Sequence, residues 1–173
     1  QNSYSLLTRE FESGLAEVCS PSHTNVALLT YSPLSAGVLT GKYDVIPDAK
    51  MANLDVPEKA KASSPYEGAN PKSRLNLLRG YRARYESSAA PAAVAEYSRV
   101  AAKYGMTPSQ LALSFVASRP FVPSTIVGAT SCEQLEENLG AFAFEFTQEM
   151  LDDIEEVASR YPDPWRTPQP GGG

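Results

Sequence analysis

Residues 30–42 read TYSPLSAGVLTGK, and this stretch decides how the rest of the chain is interpreted. An apolar run, VALL at residues 26–29, leads into it and predicts a buried strand of a parallel sheet. A loop that leaves the C-terminal end of such a strand is where α/β folds bind ligands. Gly37 and Gly41 permit close backbone approach, and Lys42 can meet a phosphate as a point charge. An ordinary turn between a strand and a helix would read in the same way.

Helical and strand-like patterns alternate on both sides of this stretch, which predicts a fold built from βα units. Residues 10–19 predict a helix, with Phe11, Leu15 and Val18 on its inner face. The repeated order of helix and strand is typical of a βα barrel or of a doubly wound sheet, and the pattern alone leaves both open.

Two capping boxes mark the starts of later helices. Thr107 with Gln110 opens the first of these, directly before a proline at the first helical position. Residues 124–127 then predict a second buried strand, and Ser131 with Gln134 opens the helix behind it. A helix N-terminus behind a glycine turn offers free N–H groups to an anion, although the same residues would also serve as a simple helix cap.

The domain predicted from these patterns covers residues 1–161, followed by a Pro- and Gly-rich tail at 162–173. Residues 43–73 hold several prolines and no lasting period, so they predict a long functional loop. Arg74 begins an arginine-rich segment behind it, which reads either as a surface facing an anion or as a solvated helical turn.

Composition excludes several classes of function for these 173 residues. The net charge of −5 and the lack of a basic patch argue against a nucleic-acid partner. No apolar run approaches the ~20 residues that span a membrane, and no targeting segment is visible. Cys19 and Cys132 lack the spacing of metal ligands, and His23 lies in a polar turn, so no metal site is predicted. A start without Met predicts a fragment or a processed product.

Four segments resemble the aldo-keto reductases, in the order in which that family carries them. Most similar is the Tas-type group, which shares much of its pattern with the potassium-channel β subunits. The segments are QNSYSLLTREFESGLAEV (1–18), YSPLSAGVLTGKY (31–43), KYGMTPSQLALSFVASRPFVPSTIVGAT (103–130) and IVGATSCEQLEENLGA (126–141). Each segment alone would be unspecific, but the combination covers nearly the whole chain.

The resemblance implies an α/β fold that is the C-terminal part, about strands 6–8 with their helices, of a (β/α)8 TIM barrel. It also implies a soluble oxidoreductase that uses NADP(H) to reduce a small carbonyl substrate to an alcohol. The family's catalytic Asp, Tyr, Lys and His belong to the first half of the barrel, and no residue of this chain matches them. The chain by itself is therefore predicted to be inactive, and whether it serves as an enzyme stays open.

The cofactor contacts that the family implies fall mainly on the loops after the two predicted buried strands. Residues 43–73 would lie over this site. Gln1 would bond the nicotinamide carboxamide, Tyr31 would stack on the ring, and Arg74 with Lys42 would clamp phosphate charge. The expected preference for NADP(H) over NAD(H) rests mainly on Arg74. The predicted set is Gln1, Tyr31, Ser32, Pro33, Leu34, Gly37, Lys42, Arg74, Gly128, Thr130, Ser131, Gln134, Glu137 and Asn138. The loop at 31–43 would contact the pyrophosphate, and the start of the helix opened by Ser131 would contact the adenosine phosphate. The last three residues of the set would contact the adenine.

A second hypothesis is a truncated, reductase-like chain that acts as a structural or interaction subunit without catalysis. Part of a barrel exposes strand edges, which invite pairing with a partner chain. Such a chain on its own is expected to be marginally stable or self-associating. The cytoplasm or the plastid stroma is the location expected for either role.

Overall fold

The computed structural model describes residues 1–43, 85 and 88–166. Three short strands form one parallel sheet in the order β1 (Asn2–Ser3), β2 (Leu29–Tyr31), β3 (Ser124–Thr125). Most of the predicted loop at 43–73, Arg74, and the tail beyond residue 166 lie outside the described residues. The described part is thus an α/β unit with three parallel strands.

Helices connect and cover the strands. They are α1 (Leu15–Cys19), α2 (Ala90–Lys103), α3 (Pro108–Ser118), α4 (Cys132–Gly140) and α5 (Gln148–Arg160), with 3-10 turns at Glu10–Ser13, Ser35–Thr40 and Ala141–Ala143. Local signals explain their bounds: Gly105, at φ 66°, follows the end of α2, and the predicted capping box of Thr107 and Gln110 opens α3. Thr147 caps α5, because its side chain accepts the Met150 N–H.

The two faces of the sheet differ in what covers them. Leu28 and Thr30 are buried, whereas Leu29 and Tyr31 between and beyond them are 39% and 41% exposed. Because Tyr31 continues the register that pairs Thr30 with Thr125, it lies on the same side as Ile126, which is 43% exposed. We call the side that carries Leu29, Tyr31 and Ile126 the open face.

The core lies on the other side of the sheet, against α3. Residues 111–116 of this helix are all buried. Tyr4, which follows β1, stacks on Phe115 with 5.8 Å between the ring centroids and meets Phe121 edge-on at 5.3 Å. Burial on α3 is what fixes the sheet's covered face, since an apolar surface removed from water contributes about 25 cal/mol per Å².

Two expectations about the first 31 residues are wrong. The predicted helix at 10–19 is broken at Gly14, into a 3-10 turn and α1, and only Phe11 of its predicted inner face is buried. Leu15 and Val18 are 47% and 53% exposed. The buried strand predicted from the apolar run at 26–29 is also wrong in its bounds and burial, because only residues 29–31 form β2 and they alternate between exposed and buried. Both predictions took apolar residues to be buried. Burial also needs a surface that covers them, and the described residues do not supply one at Leu15, Val18 or Val26.

None of the described helices is long and apolar enough to cross a lipid bilayer. Within the same described ranges, no three His, Cys, Asp or Glu side chains cluster closely enough to hold a metal ion.

Candidate functional site

Two loops meet at one edge of the sheet, where parallel strands end. β2 ends at Tyr31 and continues into the loop at 32–43, while β3 continues through residues 126–131 into α4. Because β2 and β3 are adjacent and parallel, their C-terminal ends lie side by side. This edge is the usual ligand-binding edge of an α/β fold, and most of the predicted site residues fall on it.

The first loop has an unusual backbone. Ser32, Ser35 and Ala36 take φ values of 57°, 49° and 58°, and Gly37 follows at 88°. Non-glycine residues rarely adopt this left-handed region, and such strain clusters at functional sites. Leu34, at φ −100° and ψ 10°, enters this run, and turns of this kind arrange successive N–H groups into concavities that bind anions.

Contacts with the preceding strand and loop hold the strained segment in place. The Ser5 and Ser35 hydroxyls lie 3.0 Å apart, and both residues are buried. The Tyr4 N–H donates to the Tyr31 carbonyl at 3.3 Å, which ties the end of β2 to the segment after β1. Sequence reasoning missed Ser5 and Ser35, and no local pattern marks a pairing across 30 residues.

Lys42 folds back over Gly37. A Cβ atom built on Gly37 would lie 2.9 Å from the Lys42 Nζ atom, so no larger residue fits without moving the lysine. The same Nζ atom lies 5.0 Å from the centroid of the Tyr43 ring, at a distance typical of a cation–π contact. A positive charge therefore stands beside the left-handed turn, and this combination fits the phosphates of a dinucleotide.

The second loop presents the N-terminus of α4. Ser131 caps the helix by accepting the Gln134 N–H at 3.3 Å. The predicted capping box is only half formed, because Gln134 Oε1 accepts from the N–H and the hydroxyl of Thr130, both at 3.0 Å. The Ser131 hydroxyl and a backbone N–H lower the pKa of Glu133, as expected where helix N–H groups favour negative charge.

The residues predicted to reach an adenine are not presented together. Glu137 accepts a hydrogen bond from the Thr107 hydroxyl at 2.6 Å, which directs its carboxylate towards the start of α3. Asn138 is buried, whereas Gln134 is exposed and engaged with Thr130. Of these three residues, only Gln134 is exposed.

The remaining predicted residues divide between the open face and the loops. Tyr31 lies on the open face, and Gln1, directly before β1, is exposed on the side that Ser3 shares with Tyr31. Pro33 is buried and Leu34 half-buried within the first loop. Gly128 and Thr130 are exposed in the second loop. Arg74 lies outside the described residues.

A charged network behind the site has no counterpart in the sequence predictions. Arg9 donates to Glu12 and to Glu155 of α5, at 2.7 Å each, and the Tyr4 hydroxyl also bonds Glu12. Burial raises the pKa of Glu12, but hydrogen bonds from Arg9 and Tyr4 outweigh it and leave this pKa lowered. Burial and the same carboxylate raise the pKa of Tyr4. The network anchors the end of β1 to the last helix.

Several known proteins are similar in sequence to this chain. Residues 1–159 match the model of the Aldo/keto reductase family. The Tas protein of Escherichia coli K12 is 38% identical over 161 residues, covering 93% of this chain and 40% of Tas. An aldo-keto reductase of Babesia bovis is 37% identical over 79% of this chain and 41% of its own length.

A putative voltage-gated potassium channel subunit beta of Schizosaccharomyces pombe is also similar, at 32% identity over 94% of this chain. The chain spans about two fifths of the length of these curated relatives. Because the family model covers most of its residues, the chain belongs to the aldo/keto reductase family.

Proposed function

We propose that this chain supplies strands 6–8 and their helices to a (β/α)8 barrel, and that it binds the NADP(H) of a carbonyl reductase. The observation that carries the proposal is the left-handed turn at the end of β2, with Lys42 folded over Gly37. Family membership supports the proposed nucleotide binding, since aldo-keto reductases typically use NAD(P)H. The three parallel strands support the proposed place of the chain in a barrel.

In this proposal the chain's own residues bind and orient the cofactor. Tyr31, exposed on the open face, would stack against one side of the nicotinamide, and Gln1 would bond its carboxamide. The turn at 34–37 and Lys42 would hold the pyrophosphate, and the start of α4 would take the adenosine phosphate. When bound, the nicotinamide supplies the hydride.

Catalytic protonation would come from elsewhere. No residue of this chain matches the family's catalytic Asp, Tyr, Lys and His, so a carbonyl would be protonated by the βα units that the chain does not span. We therefore expect the chain alone to show no reductase activity with NADPH. Reduction of a small carbonyl substrate belongs to the completed barrel.

The test uses the chain co-expressed with the part of E. coli Tas that it does not match. NADPH is titrated while intrinsic fluorescence quenching is followed. Lys42→Ala should weaken binding roughly tenfold or more, because it removes a charge-assisted bond. Lys103→Ala is the matched control, since its Nζ is bound by Asp153 and Glu149 of α5, and it should change nothing. Equal affinity for both variants, or no binding at all, would overturn the proposal.

Preference for NADP(H) is tested separately. The resemblance implies that Arg74 would hold the 2′-phosphate, which only NADPH carries. Arg74→Ala should therefore weaken the binding of NADPH more than the binding of NADH. Ser131→Ala, which removes the cap of α4, should weaken both cofactors modestly. Equal losses for the two cofactors on Arg74→Ala would remove this arginine from the 2′-phosphate site.

A second candidate is a structural or interaction subunit without catalysis. The open face favours it, because parallel sheets are nearly always covered on both faces and a partner chain would cover this one. A complex that assembles but binds no NADPH would favour this second role.

A further inference from the structure

We propose that Ser5, in the segment after β1, is the positioning residue of the left-handed turn at 34–37. The inference rests on the proposed function for its ligand, because that function assigns the pyrophosphate to this turn. Ser5 is only 1% exposed, so it cannot contact a cofactor itself. It would instead set the affinity for the cofactor by holding the residues that do.

A single hydrogen bond joins the turn to another segment of the described chain. The Ser5 and Ser35 hydroxyl oxygens lie 3.0 Å apart. All other hydrogen bonds between residues 32–42 and described residues stay within this loop, as does the bond from the Gly37 N–H to the Leu34 carbonyl at 2.8 Å. Apolar packing also holds the loop, but it is non-directional and does not orient a backbone group.

The Ser5 hydroxyl is oriented by a second hydrogen bond. It accepts the Leu7 N–H at 3.2 Å, which leaves its own hydrogen for the Ser35 hydroxyl. Ser35 is 2% exposed, so water does not compete for this bond. Without the bond, the Ser35 hydroxyl would be buried with no partner among the described residues, a state that buried polar groups avoid.

The segment that carries Ser5 is itself held from several sides. The backbone groups of Ser5 and Thr8 exchange two hydrogen bonds, at 3.0 and 3.1 Å, which closes this segment into a tight turn. Leu6 and Leu7 within it are buried, and the Tyr97 hydroxyl of α2 donates to the Leu6 carbonyl at 3.3 Å. Ser5 is therefore held by β1, its own turn and α2, independently of the first loop.

The conformation of Ser35 shows what this hydrogen bond must offset. Its φ of 49° lies in the left-handed region, which glycine adopts freely and serine only at a cost. Glycine would relieve the strain, but it would carry no hydroxyl for Ser5 to hold. Ala36 and Gly37 follow with φ values of 58° and 88°, so a rotation at Ser35 would turn the N–H groups of both residues. The Ser5 hydroxyl therefore fixes the direction in which the turn presents its donors.

The first experiment compares two ligands of the chain co-expressed with the unmatched part of E. coli Tas. NADPH carries the pyrophosphate, whereas adenosine 2′,5′-bisphosphate lacks it and would occupy only the start of α4. Ser5→Ala should weaken NADPH binding about three- to tenfold, as expected for one lost hydrogen bond, and leave the binding of the bisphosphate unchanged. Ser114→Ala is the matched control, because this buried serine of α3 donates to the Ala141 carbonyl at 2.6 Å and makes no bond to the turn. It should change neither affinity.

A double-variant cycle tests whether Ser5 acts through Ser35. Ser35→Ala should lower the affinity for NADPH as much as Ser5→Ala does, and the two changes together should cost no more than either alone. Ser35→Gly removes the hydroxyl and the strain together, so adding Ser5→Ala to it should also have no further effect. Ser35→Ala keeps Ser5 bonded to Leu7, so it replaces Ser5→Ala in every measurement if that variant fails to fold.

Amide hydrogen exchange follows the turn without any cofactor, in the chain alone and in the complex. Residues 34–39 should exchange faster in Ser5→Ala by a similar factor, whereas α4 should not change. Unchanged exchange of the turn, equal losses of affinity for the two ligands, or additive effects of the two alanine variants would overturn the proposal. Faster exchange of the turn in a complex whose parent form binds no NADPH would confirm the positioning role of Ser5 and refute the cofactor proposal.

Discussion

Single residues in the first loop carry most of the functional argument. Ser35 and Ala36 hold left-handed backbone that costs of order 1–3 kcal/mol at each non-glycine residue. The buried hydroxyl pair of Ser5 and Ser35 helps to hold that strain. A loop keeps such a conformation only where contacts with the surrounding structure hold it. A left-handed turn with a cation beside it is suited to binding an anion.

Substitution of Gly37 by alanine separates backbone strain from contact with the lysine. Gly37→Ala should destabilise the chain by about 1–2 kcal/mol, because φ is 88° there. It should also weaken NADPH binding in the complex with the unmatched part of Tas, because the new Cβ would displace Lys42 Nζ. Gly105→Ala is the matched control, since φ is 66° there and nothing lies within 4 Å of the new Cβ. It should cost similar stability and leave NADPH affinity unchanged. Equal affinity losses would mean that general destabilisation, not Lys42, explains the effect.

Some of these residues could be predicted from the sequence, and others could not. Lys42 and Gly37 were predictable as a pair of types, because a lysine and glycines after an apolar run favour phosphate binding. The left-handed conformation of Ser35 and its bond to Ser5 were not, because they depend on the pairing of β1 with β2. The bond between Glu137 and Thr107 likewise crosses 30 residues and leaves no local pattern.

Helix ends were predictable because their determinants are local. Thr107 and Gln110 act within one helical turn, and the capping box predicted from them opens α3. The inner face of residues 10–19 was not predictable in this way. An apolar period states which side of a helix prefers burial, but not whether this chain supplies the surface that buries it.

The cap of α3 can be tested directly. Thr107→Ala should lower the free energy of unfolding by about 1 kcal/mol, because it removes the hydroxyl that accepts the Gln110 N–H and donates to Glu137. Chemical denaturation measures the change. Thr107→Ser keeps the hydroxyl and should stay near the parent. A serine variant as unstable as the alanine variant would assign the effect to the lost methyl group instead.

At the scale of the whole molecule, a few charged side chains join the beginning of the chain to its end. Arg9 follows the segment after β1, and Glu155 lies 146 residues further on, in α5. The Arg9 side chain is only 18% exposed, and Glu12 completes its contacts. Charged hydrogen bonds of this kind contribute about 1.5–3 kcal/mol each, and more is lost when one partner is left unpaired.

Acid should loosen this closure, and the sign follows from Glu12. Its pKa in the folded chain is lowered below the ordinary value of 4.5, so the unfolded chain binds the proton more readily. The stability that Glu12 contributes is therefore present above about pH 4.5 and is lost as the pH falls through the folded pKa. Asp153, whose pKa is lowered by Lys103 and Tyr104, adds a loss of the same sign.

Urea unfolding at pH 7, 5 and 3 measures this dependence. Glu12→Gln should cost about 1–3 kcal/mol at pH 7, because Arg9 loses a charged partner, and should flatten the decline between pH 5 and pH 3. Glu10→Gln is the control from the same 3-10 turn, since Glu10 pairs with Arg166 at an exposed site and should contribute under 1 kcal/mol. Parallel pH profiles for the Glu12 variant and the parent would show that the acid response arises at other carboxylates. A flattened profile would instead show that the protonation of this one partly buried carboxylate accounts for most of the stability that the parent loses between pH 5 and pH 3.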